Sequence, residues 1–196
     1  MLWKRTMDVL GASVGLVLLS PVLLVLAVLV RTRLGPPVLF TQRRPGLDGQ
    51  PFTLHKFRTM TEERDAEGHL LPDEQRLTRF GQWLRTTSLD ELPELYDVLR
   101  GRMSLVDPRP LLTAYLEHYD ERQASRHDVK PGMTGWAQVQ GRNELDWDAR
   151  LEADAWYVEH VSLWLDARIL ARTVVTVVRR EGISSPGHVT GERFDA

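Results

Sequence analysis

Two adjacent carboxylates, Asp90 and Glu91, are the residues whose type and position best suit chemistry. They precede an apolar pattern typical of a helix, so they stand where a helix is predicted to begin. If Ser88 is the N-cap, Ser88 and Glu91 form a capping box, whereas with Asp90 as the N-cap Pro93 falls in the first turn, where proline is tolerated. In both cases the helix end is expected to lower the pKa of Asp90 and to attract phosphate. The alternative is that both acids are caps and nothing more.

Arginines bracket the acid pair along the chain and suit the binding of an anion. Two prolines fix the backbone on both sides of Arg109, which reduces the entropy lost when the Arg109 side chain is ordered. A planar guanidinium group can then hold a phosphate through two hydrogen bonds. The alternative for each arginine is a surface counter-charge. The arginines are Arg85, Arg100, Arg102 and Arg109, and the prolines are Pro108 and Pro110.

A β-hairpin is predicted before the acid pair. Residues 38–42 and 51–57 read as strands, and the turn residues at 47–50 join them. Lys56 and Arg58 are two positions apart, so they are expected on one face, with both cations directed at the acid pair. The alternative is a solvated basic face.

Residues 9–30 form an uncharged run of 22 residues. As a helix this run is about 33 Å long, enough to cross a bilayer core of about 30 Å. Ser20 and Pro21 stand at its middle, where proline bends a helix and the serine hydroxyl can bond a freed carbonyl. Basic residues flank both ends, which favours a re-entrant helix that returns to its own side. A kinked membrane span is the alternative. The flanking residues are Lys4, Arg5, Arg31 and Arg33.

Composition limits the classes of function. The chain of 196 residues fits one domain plus a membrane anchor, and its lack of cysteine excludes disulfides, thiolate nucleophiles and Cys-bound zinc. The net charge of -2 hides an asymmetry, because residues 1–60 hold eight Lys or Arg against two Asp, and the remainder carries -8. The basic part surrounds the most apolar part, which suits anionic lipid better than nucleic acid.

The remaining segments position these groups. Residues 61–75 are predicted to form a mobile loop, either a lid or a connector, and 104–106 a short buried strand. His118 and His127 are expected to face solvent, and Asp166 to pair with a basic residue. The other predicted elements are helices at 76–85, 115–127, 147–160 and 163–180, the last suited to a membrane interface, and a strand at 136–140.

Five motifs resemble those of the bacterial sugar transferase family, the monotopic phosphoglycosyl transferases. The resemblance extends over about residues 4–183. Two positions depart from the family pattern: Asp107 stands where the family usually has Gly, and Pro45 where it more often has an aliphatic residue. The motifs are Lys56-Phe-Arg-Thr-Met60, Thr87-Ser-Leu-Asp-Glu-Leu-Pro93, Met103-Ser-Leu-Val-Asp-Pro-Arg-Pro-Leu111, Lys130-Pro-Gly-Met-Thr-Gly135 and Gly141-Arg-Asn143.

The resemblance implies an α/β, mostly α, fold: a re-entrant membrane helix over residues 1–33 and a compact catalytic domain over 34–185 with a short hairpin and interfacial helices. Residues 186–196 are expected to form a tail. The expected location is the bacterial inner membrane, with the catalytic domain in the cytoplasm. Membrane lipid is an expected partner, nucleic acid is not, and homo-oligomerisation is left open.

The implied reaction moves a sugar-1-phosphate from a UDP-sugar to a polyprenyl phosphate, as the first membrane step of glycoconjugate or exopolysaccharide assembly. Asp90 is the expected nucleophile and Glu91 a base or cation ligand, with Mg²⁺ held by Asp90 and Glu91. The segment Pro108-Arg109-Pro110 is associated with the nucleotide. Further phosphate-binding candidates are Arg85, Lys56, Arg58 and Arg142.

Two other classes of function share some of these features. A membrane-bound pyrophosphate hydrolase would use the same acids with water as the acceptor. A non-catalytic membrane adaptor would bind nucleotide weakly and turn nothing over.

Overall fold

The computed structural model describes residues 1–141, 145–179 and 194, which form a mostly helical fold with a few short strands. This confirms the predicted class. The helices are α1 Leu2–Arg33, α2 Asp73–Arg76, α3 Arg79–Thr86, α4 Glu94–Leu99, α5 Glu121–Ala124, α6 Trp136–Gln140, α7 Trp147–Glu159 and α8 Leu163–Arg179. The strands are β1 Leu39–Pro45, β2 Pro51–Phe57, β3 Ser104–Val106 and β4 Gly132–Thr134.

Helix α1 runs without interruption through Pro21. Proline has no N–H, so the carbonyl of Val17 loses its helical donor. The hydroxyl of Ser20 donates to this carbonyl over 2.8 Å, as the sequence predicts. Among the described residues, α1 is the one helix long and apolar enough to cross a membrane.

One face of α1 packs on the rest of the protein along nearly its whole length. Glycines allow the close approach: a Cβ on Gly11 would lie 2.5 Å from Leu105, and one on Gly15 would lie 3.2 Å from Leu95. The residues buried on this face are Lys4, Asp8, Ala12, Leu26 and Val30. The opposite face exposes Leu10, Val14, Val17, Leu18, Leu24, Val25 and Val28. Both ends of α1 therefore lie against the same body, and an apolar face remains uncovered.

The predicted hairpin is confirmed. Strands β1 and β2 pair antiparallel from Leu39 opposite Phe57 to Pro45 opposite Pro51, and a 3₁₀ turn at Leu47–Gly49 joins them. Alternate residues of β2, including Phe52 and Leu54, are buried in a core shared with Ala12 of α1.

Strands β3 and β4 form a second, parallel pair. Ser104 of the predicted strand β3 is opposite Gly132, and Val106 is opposite Thr134. A Cβ on Gly132 would lie 2.2 Å from the backbone nitrogen of Asp107, so only glycine allows this contact. The predicted strand at 136–140 is wrong, because these residues form helix α6 and place Trp136 and Val139 on one packed face.

The region 115–127 also differs from the single helix predicted. A 3₁₀ segment at Thr113–His118 is followed by a separate helix, α5, which Asp120 caps through a capping box. His118 is exposed as expected, but His127 is only half-exposed, and burial lowers its pKa to about 4. Helices α7 and α8 confirm the predictions for their regions.

The loop at 61–75 is mostly exposed, and α2 begins within it. A short antiparallel contact joins Met60 to Leu77 across its base, and another joins Arg64 to Leu70. Its mobility and any role as a lid stay predictions.

Candidate active site

The acid pair lies in a tight turn between two helices, in a segment called here the acid loop, residues 87–93. Ser88 adopts the left-handed conformation with φ of 55° and its side chain caps no helix, while Leu89–Glu91 forms one 3₁₀ turn. Helix α4 then begins with Pro93 as its N-cap. As N-caps of the regular helix, the predicted Ser88 and Asp90 are both wrong, because that helix starts only after Pro93. Ser88 occupies the N-cap position of the 3₁₀ turn instead.

Glu91 is the meeting point of two cations from distant segments. The Lys56 ammonium at the end of β2 lies 2.9 Å from Oε1 of Glu91 and 3.1 Å from Oε1 of Glu94. The Arg109 guanidinium, just after β3, donates to the same oxygen of Glu91. Glu91 raises the pKa of Arg109, so this cation keeps its charge. The structure therefore joins Lys56, Glu91 and Arg109, and of these contacts the sequence predicts that of Lys56 with the acid pair.

Asp90 is buried, with 7% of its surface exposed. Burial, followed by the charge of Glu91, raises the pKa of Asp90 to about 6, although Lys56, Arg109 and Arg85 oppose the shift. The predicted lowering by a helix end is wrong in direction, because α4 begins four residues later and desolvation dominates. Asp90 is consequently more basic than an exposed aspartate.

Glu94 is an acid of the site that the sequence reading missed. It lies in the first turn of α4 and is almost fully buried. Burial raises its pKa to about 7, and the nearby Lys56 opposes the shift. The sequence does not predict the ion pair between Lys56 and Glu94, because this contact depends on how α4 packs on β2.

The two other predicted cations have different surroundings. Arg85 donates through Nε to the hydroxyl of Thr59 over 3.0 Å, and its charge still acts on Asp90. The prediction that Arg58 points at the acid pair is wrong. Its guanidinium donates to the carbonyls of Leu34, Gly35 and Pro36. Strand β2 ends at Phe57, so the alternation of faces no longer applies to Arg58, and the turn after α1 offers three acceptors.

The backbone of Arg109 is bound by a buried ion pair of Arg126 and Asp154. Arg126 donates to the backbone carbonyl of Arg109 and to the carboxylate of Asp154, each over 2.7 Å. Pro108 accepts a hydrogen bond from the Gly132 N–H over 2.9 Å. Pro108, Arg109 and Pro110 thus sit on a braced segment, which agrees with the predicted rigidity of this arginine.

Arg44 of β1 is a further cation that the sequence reading did not place here. Burial, followed by the charge of Arg109, lowers its pKa to about 10, while Glu94 opposes the shift. Its motif, Gln42-Arg43-Arg44, could have been a signal, since the hairpin prediction already put β1 beside Lys56.

The other arginines around the acid pair in sequence lie elsewhere. Arg100 and Arg102 contact the ring of Tyr96, and Arg102 lies 3.4 Å from Asp97. Arg142 lies outside the described residues.

A buried polar group ties the start of α1 to the segment before Arg109; it is called here the Lys4 network. The Lys4 ammonium lies 2.6 Å from Asp166 and 3.5 Å from Asp107, and it donates to the Tyr157 hydroxyl over 3.0 Å. This confirms the predicted pairing of Asp166. The carboxylate of Asp107, the unusual residue before the Pro-Arg-Pro segment, belongs to this network, and burial raises its pKa to about 7.

An apolar cavity of about 300 Å³ lies beside the acid loop. Glu91 and Arg109 line it together with side chains of α4, the β3–β4 pair and α8. Leu92, Leu95 and Leu170 are among its apolar walls.

The fit of a metal ion can be judged from the donors present. Within residues 1–141, 145–179 and 194, no group of three or more His, Cys, Asp or Glu has the arrangement of a metal cage. Mg²⁺ commonly uses one or two carboxylates and completes its shell with water and substrate phosphate. The adjacent carboxylates of Asp90 and Glu91 fit that second mode.

Comparisons of the sequence with known proteins identify its family. The family described as Bacterial sugar transferase matches residues 1–180. The chain is 54% identical over 194 residues to "Uncharacterized sugar transferase EpsL" of Bacillus subtilis strain 168, covering 99% of this chain and 96% of that protein.

Relatives with named activities are longer. The "UDP-glucose:undecaprenyl-phosphate glucose-1-phosphate transferase" of Klebsiella pneumoniae is 43% identical over 89% of this chain and 40% of its own length. The "Undecaprenyl-phosphate galactose phosphotransferase" of Salmonella typhimurium is 39% identical over 91% of this chain and 41% of its own length. The chain thus spans about two fifths of the length of these two relatives. From the family match and these identities, the chain belongs to the bacterial sugar transferase family.

Proposed function

We propose that this protein transfers a sugar-1-phosphate from a UDP-sugar to a polyprenyl phosphate, yielding a polyprenyl-diphosphate-sugar and UMP. The observation that carries the proposal is a buried carboxylate, Asp90, beside Glu91, which is held by Lys56 and Arg109. The names of the relatives supply the substrate classes, a UDP-sugar and undecaprenyl phosphate. The reaction would be the first membrane step in the assembly of a glycoconjugate or exopolysaccharide.

In the first step, a carboxylate oxygen of Asp90 attacks the phosphorus attached to the sugar. The phosphoanhydride bond breaks, UMP leaves with the bonding electrons, and a phosphosugar-aspartate remains. A pKa near 6 leaves Asp90 largely ionised at neutral pH and makes it more basic than an ordinary aspartate. Both properties favour attack.

Cations offset the charge that builds on the phosphoryl group. Arg109 and Lys56 already neutralise Glu91, so a donor phosphate meets acids whose charge is largely compensated. Arg109 is the one held in place by Arg126, which suits it to orient the donor. Arg85 acts on Asp90 through its charge.

In the second step, an oxygen of the polyprenyl phosphate attacks the same phosphorus. The acyl phosphate bond breaks, Asp90 is released as a carboxylate, and a new phosphoanhydride is formed. Glu91 either accepts the proton of the lipid phosphate or supports the cation, and a Glu91→Gln variant separates these roles. If Glu91 serves mainly this step, the variant accumulates the adduct.

Asp90 and Glu91 would hold Mg²⁺ together with phosphate oxygens of the donor. Bound there, the ion would supply positive charge toward the leaving phosphate.

The proposal includes a re-entrant, monotopic attachment to the inner membrane, with the domain in the cytoplasm. The packing of both ends of α1 on one body supports it, because a straight span would carry one end across the bilayer. The exposed face of α8, which includes Trp164 and Val174, suits the membrane interface.

The test is a half-reaction without lipid. The protein, UDP-sugar and Mg²⁺ should release at most about one equivalent of UMP and retain a sugar phosphate on the peptide that contains Asp90. The adduct should be cleaved by hydroxylamine, and Asp90→Asn should abolish it while donor binding persists. Continuous release of free sugar phosphate would indicate a hydrolase, binding without turnover would indicate an adaptor, and an adduct on Glu91 would correct the nucleophile.

A further inference from the structure

The apolar cavity beside the acid loop has one charged end. Glu91 and Arg109 stand there, while the remaining lining is mostly aliphatic, with Leu92, Leu105 and Val177 among its members. Three of the four threonines in its wall are hydrogen-bonded within the protein: the Thr173 hydroxyl bonds Thr134 over 2.7 Å and the Ile169 carbonyl over 2.8 Å, and the Thr87 hydroxyl donates to the carbonyls of Trp83 and Leu84. A ligand that fits this space has an anionic head and a hydrocarbon body.

The wall of the cavity is shared with the packing surface of α1. Leu95 and Leu105 line the cavity and are also the side chains that meet Gly15 and Gly11 of α1. On the other side, Leu170 and Val177 are two turns apart on α8 and so lie on one face of that helix. The cavity therefore lies between the acid loop and α8, and the side chains of Leu95 and Leu105 separate it from α1.

We propose that this cavity receives the phosphate-proximal isoprene units of the acceptor, an assignment that rests on the proposed transferase function. Arg109 at the charged end complements the lipid phosphate, and that phosphate then lies beside Glu91, the neighbour of Asp90. A sugar or a nucleoside base placed in the aliphatic part would leave most of its polar groups without partners.

The size of the cavity limits what it can hold. A volume of about 300 Å³ is at the lower end for ligand pockets, too small for a long polyprenyl chain. The cavity therefore binds the first few isoprene units, and the rest of the polyprenyl chain stays in the bilayer. Farnesyl phosphate, which carries three such units, should serve as a soluble acceptor.

The two half-reactions separate this proposal from the proposed function. In Val177→Trp, a large ring fills the cavity. UMP release without lipid should stay within about twofold, while transfer to farnesyl phosphate should fall about tenfold or more, mainly through a higher KM. The matched control is Val174→Trp, 65% exposed on the membrane-interface face of the same helix, where a tryptophan is well accommodated, and it should change neither step.

A second measurement uses the unaltered protein and does not depend on the variant folding. Farnesyl phosphate carrying a diazirine on its first isoprene unit should label the peptides that contain Leu92–Leu105 or Leu170–Val177, and undecaprenyl phosphate should compete. If the unaltered protein releases no UMP, the proposed function fails, and this labelling still decides whether the cavity binds a prenyl phosphate.

Three outcomes would overturn the proposal. One is a folded Val177→Trp protein in which both steps are unchanged. Another is a Val177→Trp protein that loses UMP release without lipid but is still labelled by the prenyl probe, which would assign the cavity to the nucleotide sugar. The third is labelling confined to peptides outside the cavity.

Discussion

Lys56 and Glu91, 35 residues apart, are joined by an ion pair of 2.9 Å, and the same ammonium lies 3.1 Å from Glu94. One cation thus serves two acids beside the proposed nucleophile. The hairpin and the packing of α4 on β2 bring them together. Lys56 also lowers the pKa of Asp90, so the pair influences the reactive carboxylate.

Lys56→Met should move the pH profile of adduct formation upward. Without this ammonium, the pKa of Asp90 should rise above about 6, and less of it is ionised at neutral pH. The rate of UMP release in a single turnover, measured from pH 5 to 9, reports the shift. Arg43→Met, at an exposed site on β1, is the control. An unchanged pH profile would show that Lys56 does not influence the pKa of Asp90.

Asp90→Asn should stabilise the protein at pH 8 while abolishing the adduct. The folded-state pKa of about 6 exceeds the ordinary 3.8, so ionising Asp90 in the folded protein opposes folding. The penalty, on the order of 3 kcal/mol, is complete above pH 6 and fades as the pH falls toward the ordinary value. Thermal unfolding in nanodiscs should show a larger gain at pH 8 than at pH 5. Glu63→Gln, at an exposed loop site, should show neither gain.

Arg109→Lys should weaken use of the donor. Lysine keeps the charge but loses the planar fork, with an expected loss of about 1 to 3 kcal/mol in transition-state stabilisation. The measured quantity is kcat/KM for the UDP-sugar. Arg100→Lys is a matched control, because Arg100 is exposed and contacts Tyr96. Equal values for Arg109→Lys and the unaltered protein would remove Arg109 from donor binding.

Lys4→Met should lower the thermal stability. It leaves the buried carboxylates of Asp107 and Asp166 without their cation, and breaking such a pair commonly costs about 3 to 5 kcal/mol. Adding Asp166→Asn should recover part of the loss in unfolding temperature. Arg31→Met, at the exposed end of α1, is the control. A temperature equal to that of the unaltered protein would mean that the Lys4 network does not hold α1 in place.

The topology of α1 can be tested with single cysteines at Trp3 and Thr32. A re-entrant helix keeps both positions in the cytoplasm, so an impermeant maleimide should label neither in intact cells and both after permeabilisation. Labelling of position 3 alone in intact cells would establish a span. Pro21→Leu should move some molecules toward that span, because it removes the residue that bends a helix at mid-membrane.

Elements defined by local signals could be predicted from the sequence. The hairpin follows from alternating residues around a short turn, and α8 follows from a long run that mixes apolar and basic residues at helical spacing. The errors fall where neighbours outside the segment decide. The segment 136–140 alternates like a strand but folds as α6, because Trp136 and Val139 pack on the buried side of α7 and α8.

The sequence by itself determined which residues can do chemistry: an acid pair, a proline-flanked arginine and an apolar run with basic flanks. Only the tertiary structure decided their electrostatics and partners. Desolvation depends on everything packed around Asp90, so it reversed the predicted direction of its pKa shift. Likewise, Lys4 meets Asp166 across 162 positions. Such contacts depend on how separate elements pack in space, and no local pattern of residue types encodes that distance.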